Sequence, residues 1–173
     1  MNEVQHVKAP QDSGVPEWAR DFSVKDRVVV ITGAGQGIGR ELARQFGAAG
    51  AIPVVADLLI DNAALVKAEI EARGGRAMAV KVDVADEASV NAMIAAVVTE
   101  LGRVDVLINN AAIFASLEKR KFELIPMEEW DRVMRVNING PLLCARAVAP
   151  VMRKAGWGRI INIASDAVPK GVM

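Results

Sequence analysis

Val28-Val29-Val30-Ile31-Thr32-Gly33-Ala34-Gly35-Gln36-Gly37-Ile38-Gly39 is the stretch that decides the fold. Val28 to Ile31 is a short β-branched run, the pattern of a strand buried on both faces. A glycine-rich turn follows at once. From Ile38 to Ala49 the apolar spacing is helical, and it stops at Gly50. A glycine turn between a strand and a helix start has a physical meaning. The first amides of a helix have no partners within it, and the helix dipole favours negative charge there, so such a turn can hold a pyrophosphate. Glycines let the phosphate come close and let helix and strand pack tightly. A tight turn without any ligand is the competing reading.

Working outward, the same alternation repeats. Ala51 to Ala56 reads as a second apolar strand, and Asp61 to Arg73 as a helix stopped by Gly74 and Gly75. Arg76 to Val82 is a third strand. Asp86 can N-cap a helix that runs to Leu101 and ends at Gly102. Val104 to Ile108 is a fourth strand, followed by a loop rich in Lys and Glu over about 113–125. Pro126 suits the first turn of the next helix, which runs to about Lys154 with an expected break near Asn137 to Pro141. After a turn at Gly156 to Gly158, Arg159 to Ala164 is a fifth strand. Strands and helices in strict alternation, with apolar strands throughout, predict an α/β fold in three layers. Its core is a doubly wound parallel sheet of Rossmann type, with right-handed crossovers and helices on both faces.

Residues 1–22 are polar and carry Pro10, Gly14 and Pro16, so they read as a tail, pinned if at all by Trp18 and Phe22. Residues 23–173 read as one domain. With 173 residues, 52% of them apolar and 24% charged, the chain can bury a sizeable core and is not a disordered polymer. Lys plus Arg and Asp plus Glu both number 21, so charge gives no sign of a nucleic-acid or anionic-membrane partner. No apolar run is long enough to span a bilayer, and the first residues lack the apolar core of a signal peptide. Cys144 and His6 are the only residues of their types, which excludes an internal disulfide and a Cys/His metal cluster. No metal site is expected, and a cytoplasmic location is.

Thr32-Gly33-Ala34-Gly35-Gln36-Gly37-Ile38-Gly39 is TGxxxGxG rather than GxGxxG, since Ile38 stands where the latter needs its third glycine. That pattern resembles the short-chain dehydrogenase/reductase family. Asn109-Asn110-Ala111-Ala112 resembles its NNAG, with Ala112 in place of the usual Gly. Gly158-Arg159-Ile160-Ile161-Asn162-Ile163-Ala164-Ser165 resembles its GxIxNIxS. The resemblance covers about residues 25–173 and implies an oxidoreductase that binds a nicotinamide dinucleotide. The residues expected at the cofactor are Gly33, Gly35, Gln36, Gly37, Ile38, Gly39, Asp57, Asp83, Val84, Asn110 and Ala111. Asp57, closing the second strand, can accept from a ribose 2′-OH and repel a 2′-phosphate. Leu58 to Ile60 add no positive charge, and Gln36 is neutral where NADP-using relatives often place a base. These features favour NAD; Arg40 leaves an opening for a 2′-phosphate. A solvated strand end remains open for Asp57, and a loop acid competing with Asp86 as a cap remains open for Asp83. The resemblance places Asp83 beside the adenine. It gives Asn110-Ala111 two roles: backbone against the cofactor ribose, and a side chain tying strands together.

The resemblance also implies a Ser that holds the substrate oxygen, matched by Ser165, and an Asn that supports a proton relay, matched by Asn137. A turn opened with Asp166 is the competing reading for Ser165, and Asn139 reads as a cap or turn residue. The family's catalytic Tyr and its partner Lys have no match, for the chain contains no tyrosine and the expected position falls past Met173. The sequence is therefore expected to be part of a longer enzyme, one that moves a hydride between NAD and a secondary alcohol or ketone. By itself the 173-residue chain is expected to be inactive. The alternative is a non-catalytic dinucleotide-binding module. Homo-oligomerisation is expected through the helix around Leu142 to Met152, whose Ala145, Ala147 and Ala149 permit close approach; packing on the sheet is the other reading. Lys119-Arg120-Lys121 could face an acidic substrate group or simply be a solvated loop.

Overall fold

The computed structural model describes residues 23–114, 116–118 and 120–165. Its strands are β1 (Val28–Thr32), β2 (Ile52–Asp57), β3 (Met78–Lys81), β4 (Val106–Asn109) and β5 (Arg159–Asn162). Between them lie α1 (Gly37–Ala48), α2 (Ile60–Glu71), α3 (Glu87–Leu101), α4 (Met127–Met134) and α5 (Gly140–Ala155). The sheet order is β3-β2-β1-β4-β5, and every pair is parallel. Register places Val29 between Pro53 and Val106, and Ile31 between Val55 and Ile108.

The winding reverses between β1 and β4, and alternate side chains of the sheet serve two cores. Val28, Val30, Val54 and Leu107 pack toward Val90, Met93 and Val97 of α3 and Cys144, Val148 and Met152 of α5. Val29, Ile31, Val55, Val106 and Ile108 pack on the other face toward Ala43 of α1 and Ala63, Val66 and Ile70 of α2. This is the three-layer doubly wound sheet the strand pattern predicts. A reversal of winding leaves a crevice at the carboxyl ends of the strands.

The local signals hold closely. Asp86 caps α3 by accepting from Ala88 N–H at 3.1 Å, and Gly102 ends that helix. Pro126 stands just before Met127, one residue earlier than a first-turn position. Three expectations need correction. The break near Asn137 to Pro141 is a continuous π-helical segment, Arg135–Asn139, joining α4 to α5. A π turn absorbs an extra residue without ending the helix. Asn139 adopts helical backbone and makes no side-chain cap bond, so it neither caps nor turns the chain. β5 stops at Asn162 and is exposed along its length, with Ile160 and Ile161 each more than two-fifths accessible. It is the outer strand, and no element among the described residues covers its far side.

At the amino ends of the strands, Asp105 is buried and accepts from Val28 N–H at 2.9 Å and from Arg27 at 3.1 Å, and it also pairs with Arg103. The Arg27 guanidinium lies 4.0 Å from the Trp157 ring centroid, and that of Arg159 lies 4.8 Å from it. Cations on an indole face are attracted by its quadrupole. The beginnings of β1, β4 and β5 are thus fastened together.

Cys144 is buried in α5 with no exposed surface, and desolvation pushes its thiol from the ordinary 9.0 up to about 11. A raised folded-state pKa adds stability that is fully present below the unfolded value. That contribution falls between about pH 9 and about pH 11. At pH 8 a soluble thiol reagent is expected to modify Cys144 at the rate of unfolding, and immediately in denaturant. Prompt stoichiometric labelling of the native protein would contradict this burial.

Candidate functional site

A cleft of about 520 Å³ runs along the carboxyl ends of β1 to β4, where the winding reverses. Its walls include Gly33, Gln36, Ile38, Asp57, Asp83, Val84, Asn110 and Ala111, eight of the eleven residues the sequence assigns to a cofactor. Gly35, Gly37 and Gly39 form the turn and helix start behind this wall.

The turn is built by close approach. Gly33 has a φ of +64°, and a Cβ there would meet the Ala111 Cα at 2.8 Å. Both facts require glycine. A Cβ at Gly39 would collide with the Gly33 carbonyl oxygen and lie 2.5 Å from Asn110 Nδ2. The first amides of α1 are left open. Gln36 precedes the helix without a side-chain cap, and the first turn holds no acidic residue. The contrast with Asp86 and Glu87 at α3 is plain. Open amides at a helix start, facing a cleft, can bind an anionic oxygen.

Thr32 and Asn110 lock β1 to β4. The Thr32 hydroxyl oxygen accepts from the N–H groups of Asn110 and Ala111, each at 3.1 Å. Asn110 Nδ2 donates to the carbonyls of Thr32 at 2.9 Å and Gly33 at 3.2 Å. Next to it, Asn109 Nδ2 donates to Asn162 Oδ1 at 2.9 Å, tying β4 to β5. The Asn pair therefore ties strands on both sides of β4, and Ala111 is presented to the cleft. Sequence reasoning missed Thr32. Its signal was a hydroxyl residue placed at the buried end of an apolar strand, directly before the glycines.

Asp57 is half-buried, and both its oxygens accept backbone N–H groups. Oδ2 takes Gly35 N–H at 2.8 Å and Oδ1 takes Leu59 N–H at 2.9 Å. It is more than a solvated strand end. Asp83 is no competitor for the helix cap. Its Oδ1 accepts from Ala85 N–H at 2.9 Å, and Asp86 does the capping. Arg40 points away from a phosphate-binding role: its guanidinium makes two bonds to Glu69 on α2, at 3.1 and 2.5 Å. Donating to the Glu69 carboxylate raises the Arg40 pKa further, and the pair directs the guanidinium toward α2.

Asn137 lies in the π-helical segment and faces the start of the loop after β4. Its Oδ1 accepts from Ile113 N–H at 2.8 Å and its Nδ2 donates to the Ile113 carbonyl at 3.1 Å. The amide fixes the part of the loop that, with Ile113 and Phe114, lines the cleft. Ser165 follows β5 and is exposed. In the basic loop, Arg120 pairs with Glu118 at 2.8 Å and Glu129 at 3.6 Å, which removes it as a free cation. Lys121 is exposed, and Lys119 lies outside the described residues. Among the described residues no group of acidic, His and Cys side chains could hold a metal ion, and no helix is long and apolar enough to cross a membrane.

Comparison with known proteins agrees with this geometry. A family model described as short chain dehydrogenase matches residues 27–173. The chain is 47% identical over 144 residues to an uncharacterized oxidoreductase of Thermotoga maritima, covering 82% of this chain and 54% of that one. It is 41% identical over 149 residues to galactitol 2-dehydrogenase of Agrobacterium fabrum, covering 86% and 56%. A crystal structure of a metagenomic short-chain oxidoreductase in complex with NADP superposes with a TM-score of 0.77 at 36% identity, covering 83% of this chain and 64% of that one. The chain spans a little over half the length of the curated relatives it matches.

Proposed function

The chain belongs to the short-chain dehydrogenase family, and from that premise we propose that it binds NAD along the carboxyl edge of β1 to β4, as part of an oxidoreductase acting on a secondary alcohol or ketone. The observation that carries this reading is the uncapped amino end of α1, opening on the cleft beside the Asp57 carboxylate. Gly33, Gly35, Gly37 and Gly39 would bring backbone amides to the pyrophosphate, with Gln36 and Ile38 alongside. Asp57 would face the adenosine ribose, Asp83 and Val84 the adenine, and Asn110 and Ala111 the second ribose.

The preference for NAD over NADP rests on charge. A 2′-phosphate would meet the Asp57 carboxylate, and Arg40, the base in the first turn of α1, is held by Glu69. The metagenomic short-chain oxidoreductase was crystallised in complex with NADP, so the preference for NAD here rests on this chain's own residues.

When bound, the nicotinamide supplies a hydride acceptor or donor. Ser165, beyond the carboxyl end of β5, would donate a hydrogen bond to the substrate oxygen and orient its carbon. Asn137 would act first by position, since its amide is committed to Ile113 and shapes the cleft wall. The proton on the substrate oxygen would have to be moved by a group beyond these residues. Ile138 and Leu142, each more than half exposed near the π-helical junction, support self-association through this helix.

Calorimetric titration with NAD and NADP tests the reading. NAD is expected to bind at least about tenfold more tightly, the effect of one unfavourable charge contact. Asp57→Ala is expected to narrow that gap. Equal affinities for the wild-type chain would overturn the preference, and binding of neither nucleotide would overturn the site.

A further inference from the structure

We infer that Gly35 and Asp57 act as one nucleotide-selecting unit, in which the absence of a side chain at position 35 is what lets the Asp57 carboxylate take its place. The usual reason for a glycine in such a turn is room for phosphate. The geometry at position 35 points elsewhere. A Cβ on Gly35 would lie 2.9 Å from both Cγ and Oδ2 of Asp57, and 2.8 Å from Cβ of Asn62. The space is therefore occupied from two sides by this chain itself. Asp57 leans into it to accept Gly35 N–H at 2.8 Å, while its other oxygen takes Leu59 N–H at 2.9 Å. Asn62, half-buried in the first turn of α2, is the second wall. No real Cβ fits between two such neighbours without displacing one of them. Of the two, the Asn62 Cβ is fixed to a helix backbone, whereas the carboxylate can rotate away. A side chain at 35 thus acts on nucleotide choice through Asp57, with the Asn62 Cβ closing the other side of the space.

The inference rests on the proposed NAD preference, and one experiment separates the two. Affinities for NAD and NADP are measured for the wild-type chain, Gly35→Ala, Asp57→Ser and the double variant. The wild-type ratio tests the preference alone. Gly35→Ala is expected to weaken NAD about tenfold, the loss of one hydrogen bond to a charged group, and to leave NADP much less affected. The double variant is expected to show the same ratio as Asp57→Ser, because no carboxylate remains to be displaced. Equal weakening of both nucleotides by Gly35→Ala, or additive effects in the double variant, would overturn the unit even if the preference stands. Should Gly35→Ala fail to fold, hydrogen exchange of the Gly35 amide in Asp57→Ser carries the test. Faster exchange by about tenfold is expected, and an unchanged rate would overturn the proposal.

Discussion

Gly39→Ala is expected to weaken dinucleotide binding by about 100-fold. The new Cβ would overlap the Gly33 carbonyl oxygen, lie 2.5 Å from Asn110 Nδ2 and lie 2.9 Å from the Ala34 Cα. None of these can yield cheaply. Gly33 holds the left-handed corner of the turn, and Asn110 is fastened by two carbonyls and by its own N–H to Thr32. Overpacking at a site that cannot relax costs about 1–3 kcal/mol, and every 1.4 kcal/mol is about tenfold in affinity. The helix would have to move away from β1, carrying its first amides off the cleft. Titration with NAD, together with a urea melt, would show it. Unaltered affinity in a folded variant would mean that these amides do not contact the ligand.

Asp105→Ala is expected to lower stability by about 3 kcal/mol without touching the cleft. The carboxylate is 3% exposed and satisfies Val28 N–H and two arginines. Truncation leaves a buried N–H at the start of the central strand without its acceptor. It also leaves Arg27 and Arg103 facing each other with no anion between them. For a chain of this length that corresponds to a fall in Tm of about 6–12 °C. Asp105→Asn keeps an acceptor for Val28 and is expected to lose less than half as much. The check is a denaturant midpoint that shifts at constant slope, with NAD affinity unchanged. A midpoint within experimental scatter of wild type would show that the arginines are content in water.

How far these features could be read from sequence depends on whether the forces involved are local. The strands of the inner sheet announce themselves because β-branched runs have no other way to be buried, and the glycine turn because its spacing suits few structures. The cap at Asp86 and the stop at Gly102 are decided within four residues and were legible. The π-helical segment was not. Asn137, Asn139, Gly140 and Pro141 look like helix breakers, yet the amide of Asn137 is satisfied by Ile113 from another element, and the helix continues around it. Thr32, Asp105 and Asn62 were invisible for a related reason. Their partners lie 78, 77 and 27 positions away along the chain, and only the folded sheet brings them together. Asp57 was legible as a residue of the cleft but not as an anchor of the turn, because a carboxylate at a strand end gives no hint of which amide leans toward it.

The Asn137 carboxamide has a consequence for how motion travels. One donor and one acceptor, both given to Ile113, make this side chain a stand-in for a peptide group in a ladder. The loop after β4 is in effect hemmed to the helix pair at two places, here and at the Arg120–Glu129 ion pair. Any sliding or tilting of the helix pair α4–α5 must drag Ile113 and the neighbouring Phe114 with it, and so change the width of the cleft mouth. A displacement of that helix would thus be felt at Ile113 and Phe114 on the cleft wall.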